Sequence, residues 1–332
     1  MIFPWQLSLS LGRYMAANRL RGRARFPLVL MLEPTLRCNL ACAGCGRIRE
    51  EREVGGRMLT AAECLSAVDE AGAPVVSVTG GEPLLHPQVR EIVAGIVARR
   101  RFVYLCTNGI KLEESLAGFR PSPYLSWVVH LDGLAATHDR MAGRPGLFHT
   151  AIQGIVAAKE AGFQVRTNTT LYKGVDGREL LELFALLMRL GVDGLMVAPA
   201  FSYEKVDADI FLTREEVAQV FAPLYAERAA FRFCHSPAYL EFLAGRRALV
   251  CTPWSTPTLS VKGWRQPCYL ITDRYCSSFS ELMEATPWQR YGAGHDPRCA
   301  NCMVHSGFEA SALEASLASP AEAWRTIRWS LQ

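Results

Sequence analysis

Three cysteines stand close together in the stretch CNLACAGC: Cys38, Cys42 and Cys45. Three thiolates on one short loop can hold three irons of a [4Fe–4S] cube. The fourth iron then has no protein ligand, and an open iron is where a substrate or cofactor binds. A zinc site short of a ligand and three incidental core cysteines are the competing readings. Zinc calls for a fourth cysteine or histidine nearby, and none lies within the following 15 residues. A second motif, Gly80-Gly81-Glu82-Pro83, ends a strand-like run. Paired glycines let a backbone approach a ligand closely, and their N–H and C=O groups can grip the termini of an amino acid. Alone, this motif also reads as a turn.

Farther on, Cys251 and Cys268 flank Gly263, and Cys299 and Cys302 form a CxxC pair. Four thiolates can complete a second [4Fe–4S] cluster or a structural zinc site. Cys276 and His305 are reserve ligands, while Cys64 and Cys234 read as structural.

These residues need elements to position them. Strand-like runs fall at 26–34, 74–81, 102–109, 124–133, 164–171 and 194–201, and stretches of helical period at 60–72, 86–100, 148–162 and 177–191. Strict alternation predicts parallel strands joined by right-handed crossovers. Six such units fit an α/β fold of the partial (β/α)6 barrel type; a doubly wound open sheet fits the same alternation. The cysteine loop and the Gly-Gly-Glu-Pro motif then share one end of the sheet. So do polar residues that alternate along strand ends: Cys106 with Asn108, His130 with Asp132, and Asn168 with Thr170. In barrels, polar groups at C-terminal strand ends usually belong to the active site; capping the strand ends is the alternative. A further helix is expected at 213–230, and the rhythm then breaks into segments rich in Pro, Gly, Trp and Cys. Three regions follow: a basic segment, 1–25; the barrel, 26–230; and a small cysteine-rich domain, 231–332, held by metal rather than by a large core.

The whole chain has 332 residues, half of them apolar and a fifth charged, which describes an ordinary globular protein. No run approaches the roughly 18 uninterrupted apolar residues of a membrane span. A net charge of +4 is too mild to argue for nucleic acid. Eleven cysteines behind a start that lacks the order of an export signal read as metal ligands in a reducing cytoplasm. Residues 1–25 hold Arg13, Arg19, Arg21, Arg23 and Arg25 among Phe3, Trp5, Leu7, Leu9, Leu11, Tyr14 and Met15. Such a segment either docks peripherally on an anionic membrane or packs as a helix over the barrel.

With CX3CX2C after the first strand and GGEP after the second, residues 28–200 resemble the radical S-adenosylmethionine (SAM) superfamily. The resemblance implies that Cys38, Cys42 and Cys45 bind a [4Fe–4S] cluster whose open iron takes the methionyl end of SAM. It further implies that Gly80, Gly81, Glu82, Pro83, Asn108, His130, Asp132, Asn168 and Thr170 line the SAM site. Gly44 departs from the aromatic residue many members place beside the last cysteine. A narrower resemblance, to the adenosylhopane synthases of hopanoid biosynthesis, rests on RFPLVLMLEPTLRCNLACAGCGRI, ECLSAVDEAGAPVVSVTGGEPLLH, FVYLCTNG, PSPYLSWVVHLDG, EFLAG, CTPW, WRQPCYL and CANCMVHSGFEA. It implies addition of the 5′-deoxyadenosyl radical to the terminal alkene of diploptene, a hydrophobic triterpene, with electrons from a flavodoxin- or ferredoxin-type donor. Ser306 departs from the cysteine expected there. Addition to such an alkene leaves a tertiary carbon radical that needs a hydrogen atom. Cys106 is the expected catalytic donor, since its S–H bond is weaker than an alkyl C–H bond; a buried core cysteine is the alternative. The four C-terminal cysteines look like the half-sized auxiliary-cluster domain that follows some radical SAM barrels. A peptide-modifying or alcohol-oxidising enzyme with an auxiliary cluster is the competing activity. Peptide modifiers often carry a recognition domain before the barrel, and Cys38 stands too early for one.

Overall fold

The computed structural model describes residues 5–203, 206 and 209–330. Six strands follow the expected alternation: β1 (Val29–Thr35), β2 (Val75–Gly80), β3 (Phe102–Thr107), β4 (Leu125–His130), β5 (Gln164–Leu171) and β6 (Gly194–Pro199). Each pairs in parallel with the next, in the order 6-5-4-3-2-1. A doubly wound sheet reverses its strand order at a switch point; this run does not reverse, and the architecture is the partial barrel.

Local signals stop and start the crossover helices. Thr60 and Glu63 form a capping box at the head of Ala61–Ala71, and left-handed Gly72 ends it. Asp176 caps Gly177–Arg189, and Thr213 with Glu216 forms a second capping box before Arg214–Ala226. Between strands and helices lies the core, where Leu30, Leu32, Val76, Val78, Val103, Leu105, Trp127 and Val129 are buried from the outer strand faces. The alternate residues face inward and are largely polar: Glu33, Ser77, Tyr104, Cys106, His130, Arg166 and Asn168. Strand alternation thus separates a packing face from a chemical face.

The cysteine-rich region is joined to the barrel by its sheet. Strand β7 (Thr258–Ser260) pairs in parallel with β1, and β8 (Gly263–Pro267) and β9 (Thr272–Cys276) continue antiparallel, giving nine strands in one sheet. The boundary drawn at residue 230 therefore separates segments that share hydrogen-bonded strands.

Before the barrel, the helix Trp5–Leu20 crosses the N-terminal ends of the strands. Leu7 packs with Val75 and Phe102, and Met15 with Phe26 and Leu28. Two apolar residues of the basic segment are thus buried against the barrel, at the end opposite the cysteine loop. Phe3 and the side chains of Trp5 and Leu9 lie outside the described residues. Among the described residues no helix is long and apolar enough to cross a membrane.

Candidate active site

The cysteine loop leaves β1 and turns back across the mouth of the barrel, where the Cys45 N–H reaches the Cys42 carbonyl at 3.2 Å. All three thiols are half-buried. Cys38 feels the charge of Cys45, and Cys42 feels Cys45, Asp132 and Cys38. Burial pushes the Cys38 thiol up to about 11 and Cys42 to about 12. Both therefore shed a proton when they ligate a metal. Among the described residues no three histidine, cysteine or carboxylate side chains converge tightly enough for one metal ion. A cube asks for something else, since each thiolate takes a different corner iron.

Gly80 and Gly81 lie directly against this loop. An ideal Cβ on Gly81 would stand 2.0 Å from the Arg37 carbonyl oxygen, so only glycine permits the approach. The N–H groups of Gly81 and Glu82 donate to the carbonyls of Thr35 and Arg37 at 2.9 and 2.7 Å. Those two donors hold the cysteine loop rather than facing open space. Glu82 is buried, and its carboxylate accepts from the backbone N–H groups of Asn108 (2.8 Å) and Leu84 (3.1 Å). Burial raises its pKa to about 6, against the pull of those hydrogen bonds. Pro83 opens the short turn that follows. The motif thus bolts the end of β2 to the cysteine loop on one side and to β3 on the other.

Across the mouth, the Asn108 side-chain amide donates to Asn39 at 2.8 Å and stands 3.9 Å from the Cys38 sulfur. His130 Nε2 and Asp132 Oδ2 are 2.8 Å apart, and Asp132 Oδ1 accepts from the Thr170 N–H at 2.9 Å. Burial works against protonating His130, but the Asp132 charge and hydrogen bond outweigh it and its pKa rises. The Asn168 side-chain oxygen is buried without a hydrogen-bond partner. One layer below Asn108, roughly 6–7 Å along the strand, Cys106 reaches Ser77 Oγ at 3.5 Å. Its thiol is pushed up to about 11, chiefly by burial, so it carries its hydrogen at neutral pH.

Several residues at this mouth have no motif in the sequence. Tyr172, just after β5, stands where a side chain on Gly44 would be, with its ring 2.5 Å from an ideal Cβ. An aromatic ring therefore does flank the loop, but it comes from another strand. Beneath Cys45 lies a closed square of four buried charges. Arg47 Nε stands 2.8 Å from Glu33 Oε1 as an ion pair without hydrogen-bond alignment and bonds Glu50 at 2.7 Å; Arg265 bonds the remaining oxygens of the same two carboxylates at 2.8 and 2.7 Å. Arg47 also lies over the rings of Tyr203 and Tyr269 and donates to the Tyr269 carbonyl. Isolated in the core, any one of these charges would be costly; here every carboxylate oxygen has a guanidinium partner. The available sequence signals were an acid inside an apolar strand, Glu33, and an Arg-Glu pair three residues apart in GRIREE.

The square leads to the second cysteine group. Tyr269 follows Cys268, and the thiols of Cys251, Cys268, Cys299 and Cys302 all feel one another's charge. Burial raises all four, Cys302 to about 12. Arg214 donates to the Cys302 carbonyl at 2.9 Å, and its charge favours the Cys251 and Cys302 thiolates. Its Nε is buried without a hydrogen-bond partner. An anionic cluster with sulfide acceptors fits that orphaned donor. Cys276 lies apart on β9, bonded to Gln266, and His305 packs against His235. Cys64 is buried beneath Ala61–Ala71, and Cys234 lies beside Arg166.

Comparison with known proteins agrees with this geometry. Residues 32–187 match the Radical SAM superfamily, and residues 195–326 match a domain of unknown function, DUF3463. The AdoMet-dependent heme synthase of Methanosarcina barkeri is 36% identical over 171 residues, 50% of this chain and 48% of that protein. The GTP 3′,8-cyclase of Aquifex aeolicus is 31% identical, over 49% of this chain and 54% of that protein. The chain thus spans about half the length of these curated relatives. A heme synthase of Oleidesulfovibrio alaskensis is 26% identical over 82% of this chain and 79% of its own. Among solved structures, Streptococcus suis SuiB bound to S-adenosylmethionine superposes with a TM-score of 0.67 at 16% identity, covering 93% of this chain and 78% of SuiB. The family uses a [4Fe–4S] cluster and SAM. The unreversed parallel strands, the cysteine loop clamped by its glycine motif, and the family match together make residues 32–187 a radical SAM domain.

Proposed function

We propose that the protein cleaves SAM reductively and adds the 5′-deoxyadenosyl radical to the terminal alkene of a hopene such as diploptene, forming adenosylhopane. The observation that carries this reading is Cys106: a protonated thiol on the inner face of β3, one layer beneath the Asn108 that touches the cysteine loop. Cys38, Cys42 and Cys45 would hold the cluster, which when bound supplies an electron to the SAM sulfonium. Asn108, Asp132, His130, Asn168 and Thr170 present the polar rim that would orient SAM. The radical adds to the alkene carbon that leaves a tertiary radical. Cys106 then gives up its hydrogen atom: the S–H bond breaks, a C–H bond forms, and a thiyl radical remains. One electron from a flavodoxin- or ferredoxin-type donor and one proton from solvent restore the thiol. The stretches similar to adenosylhopane synthases, which run through both halves of the chain, support the substrate. The heme-synthase relatives cover between half and four fifths of this chain and carry the competing claim on the acceptor.

The gathered C-terminal thiols favour a second reading, a peptide-modifying or alcohol-oxidising enzyme with an auxiliary [4Fe–4S] cluster. Product analysis separates the two. Reconstituted, anaerobically reduced protein with SAM and diploptene should yield a covalent adduct of the deoxyadenosyl group with one methionine released per adduct and no SAM regenerated. Free 5′-deoxyadenosine without any adduct would contradict the hopene reading.

A further inference from the structure

The described large apolar side chains left well exposed are Leu20 (89%), Val250 (75%), Trp324 (62%), Leu317 (58%) and Ile327 (50%). Ion pairs gather them on one flank. Arg19 bonds Glu314 at 3.0 Å, which brings the end of Trp5–Leu20, with Leu20, to the helix Glu309–Ser316, which Leu317 follows. Arg247 bonds Glu322 at 3.0 Å, which brings the segment before Val250 to the helix Pro320–Ser330. On that last helix Trp324, Ile327 and Arg328 are exposed and stand three and four residues apart, so they share a face. Its other side is anchored: the Trp329 indole donates to the His235 carbonyl at 3.1 Å.

Charge decides what this flank fits. Its acids, Glu241, Glu314 and Glu322, each already hold an arginine. Arg21, Arg23, Arg25, Arg246 and Arg328 are exposed around them. A tryptophan and an isoleucine rimmed by arginines match the headgroup region of an anionic bilayer, where the ring and alkyl groups leave water and the guanidinium groups meet phosphates. We propose that this flank docks the protein on an anionic membrane, with Trp324 and Ile327 entering the headgroup layer. The surface keeps the arginines expected at the start of the chain but not the apolar residues expected there, because Leu7 and Met15 are packed against the barrel. The inference does not rest on the hopene reading and stands whatever the barrel's acceptor is.

The test is co-sedimentation of the reconstituted full chain with vesicles of phosphatidylcholine alone or mixed with phosphatidylglycerol. The protein should pellet with the mixed vesicles, about tenfold less with the neutral ones, and less as salt rises. The Trp324→Ser/Ile327→Ser protein should lose about tenfold in vesicle binding while keeping its thermal midpoint and its deoxyadenosine production. Should that variant prove unstable, Arg21→Glu/Arg23→Glu/Arg328→Glu replaces it, with the same expected loss. Failure of the unaltered protein to pellet with mixed vesicles would overturn the proposal, as would undiminished binding by a folded variant. A dimer that the Ser variant converts to monomer, without vesicle binding, would make the face a contact between copies instead.

Discussion

At the scale of single residues, the question is what the half-buried thiol of Cys106 does. Cys106 packs against Ser77 and Tyr104 in a way that a structural cysteine also would. Replacement by alanine separates the roles. If Cys106 quenches the substrate radical, Cys106→Ala should still consume SAM and still form the new C–C bond. Its product should change, by loss of a neighbouring hydrogen or by hydrogen delivery from either face, as chromatography and NMR of the product would reveal. A packing role predicts one unchanged product and a stability loss on the order of 1 kcal/mol. The thiol's ionisation gives an independent check. Burial holds its pKa up at about 11, so the hydrogen is present throughout the ordinary working range. The ratio of quenched to unquenched product should therefore be flat between about pH 6 and pH 9, where an unperturbed thiol near 8.5 would already titrate. A ratio that falls with a midpoint near pH 8.5 would show that the donor is some other, exposed thiol.

At the scale of elements, the site depends on how tightly the cysteine loop is clamped. Gly81 meets the loop backbone with no room for a methyl group, since the Arg37 and Leu36 carbonyls would stand 2.0 and 2.5 Å from its Cβ. Backbone atoms cannot swing aside as a side chain can. Gly81→Ala should therefore lower iron loading of the loop, measured as iron per chain after reconstitution, with a stability cost of about 1–3 kcal/mol from overpacking. The four-charge square clamps from below. Removing Arg265 leaves one oxygen of each buried carboxylate without its arginine, so Arg265→Met should cost about 3–5 kcal/mol in chemical unfolding. The square also sets an acid limit. Burial would raise the Glu50 pKa, but Arg265 and Arg47 hold it below the ordinary value. Its contribution is thus complete above the unfolded carboxylate pKa of about 4.3 and is lost as pH falls through the lower folded value. In the sequence, the strands and their crossover helices were legible because alternation and caps are local. The square was not, since Glu33 and Arg265 lie 232 residues apart. Tyr172 was hidden for the same reason: it fills the space beside Gly44 from a different strand.

At the scale of the whole molecule, the first cysteine group follows β1 and Cys268 of the second follows β8 of the same nine-stranded sheet, and the Arg47–Tyr269 contact links the loop that follows Cys45 to the residue that follows Cys268. Composition made the region after 231 look like a separate module, because short strands rich in Pro and Gly give no long periodic signal. Pairing of β7 with β1, which no local pattern encodes, joins it to the barrel. If the C-terminal thiols hold a cubane, a protein lacking Cys38, Cys42 and Cys45 should retain about four irons per chain after reconstitution; zinc, or no metal, at Cys251, Cys268, Cys299 and Cys302 would refute the auxiliary cluster and leave the barrel untouched. The same triple variant bears on the centre of the account, because no other group in that loop can hold the cluster that delivers an electron to SAM. The decisive measurement is 5′-deoxyadenosine formed from SAM by the anaerobically reduced protein. The unaltered chain should produce it, and Cys38→Ala/Cys42→Ala/Cys45→Ala should produce none while remaining folded; continued production by the triple variant would contradict the radical SAM chemistry proposed for this barrel.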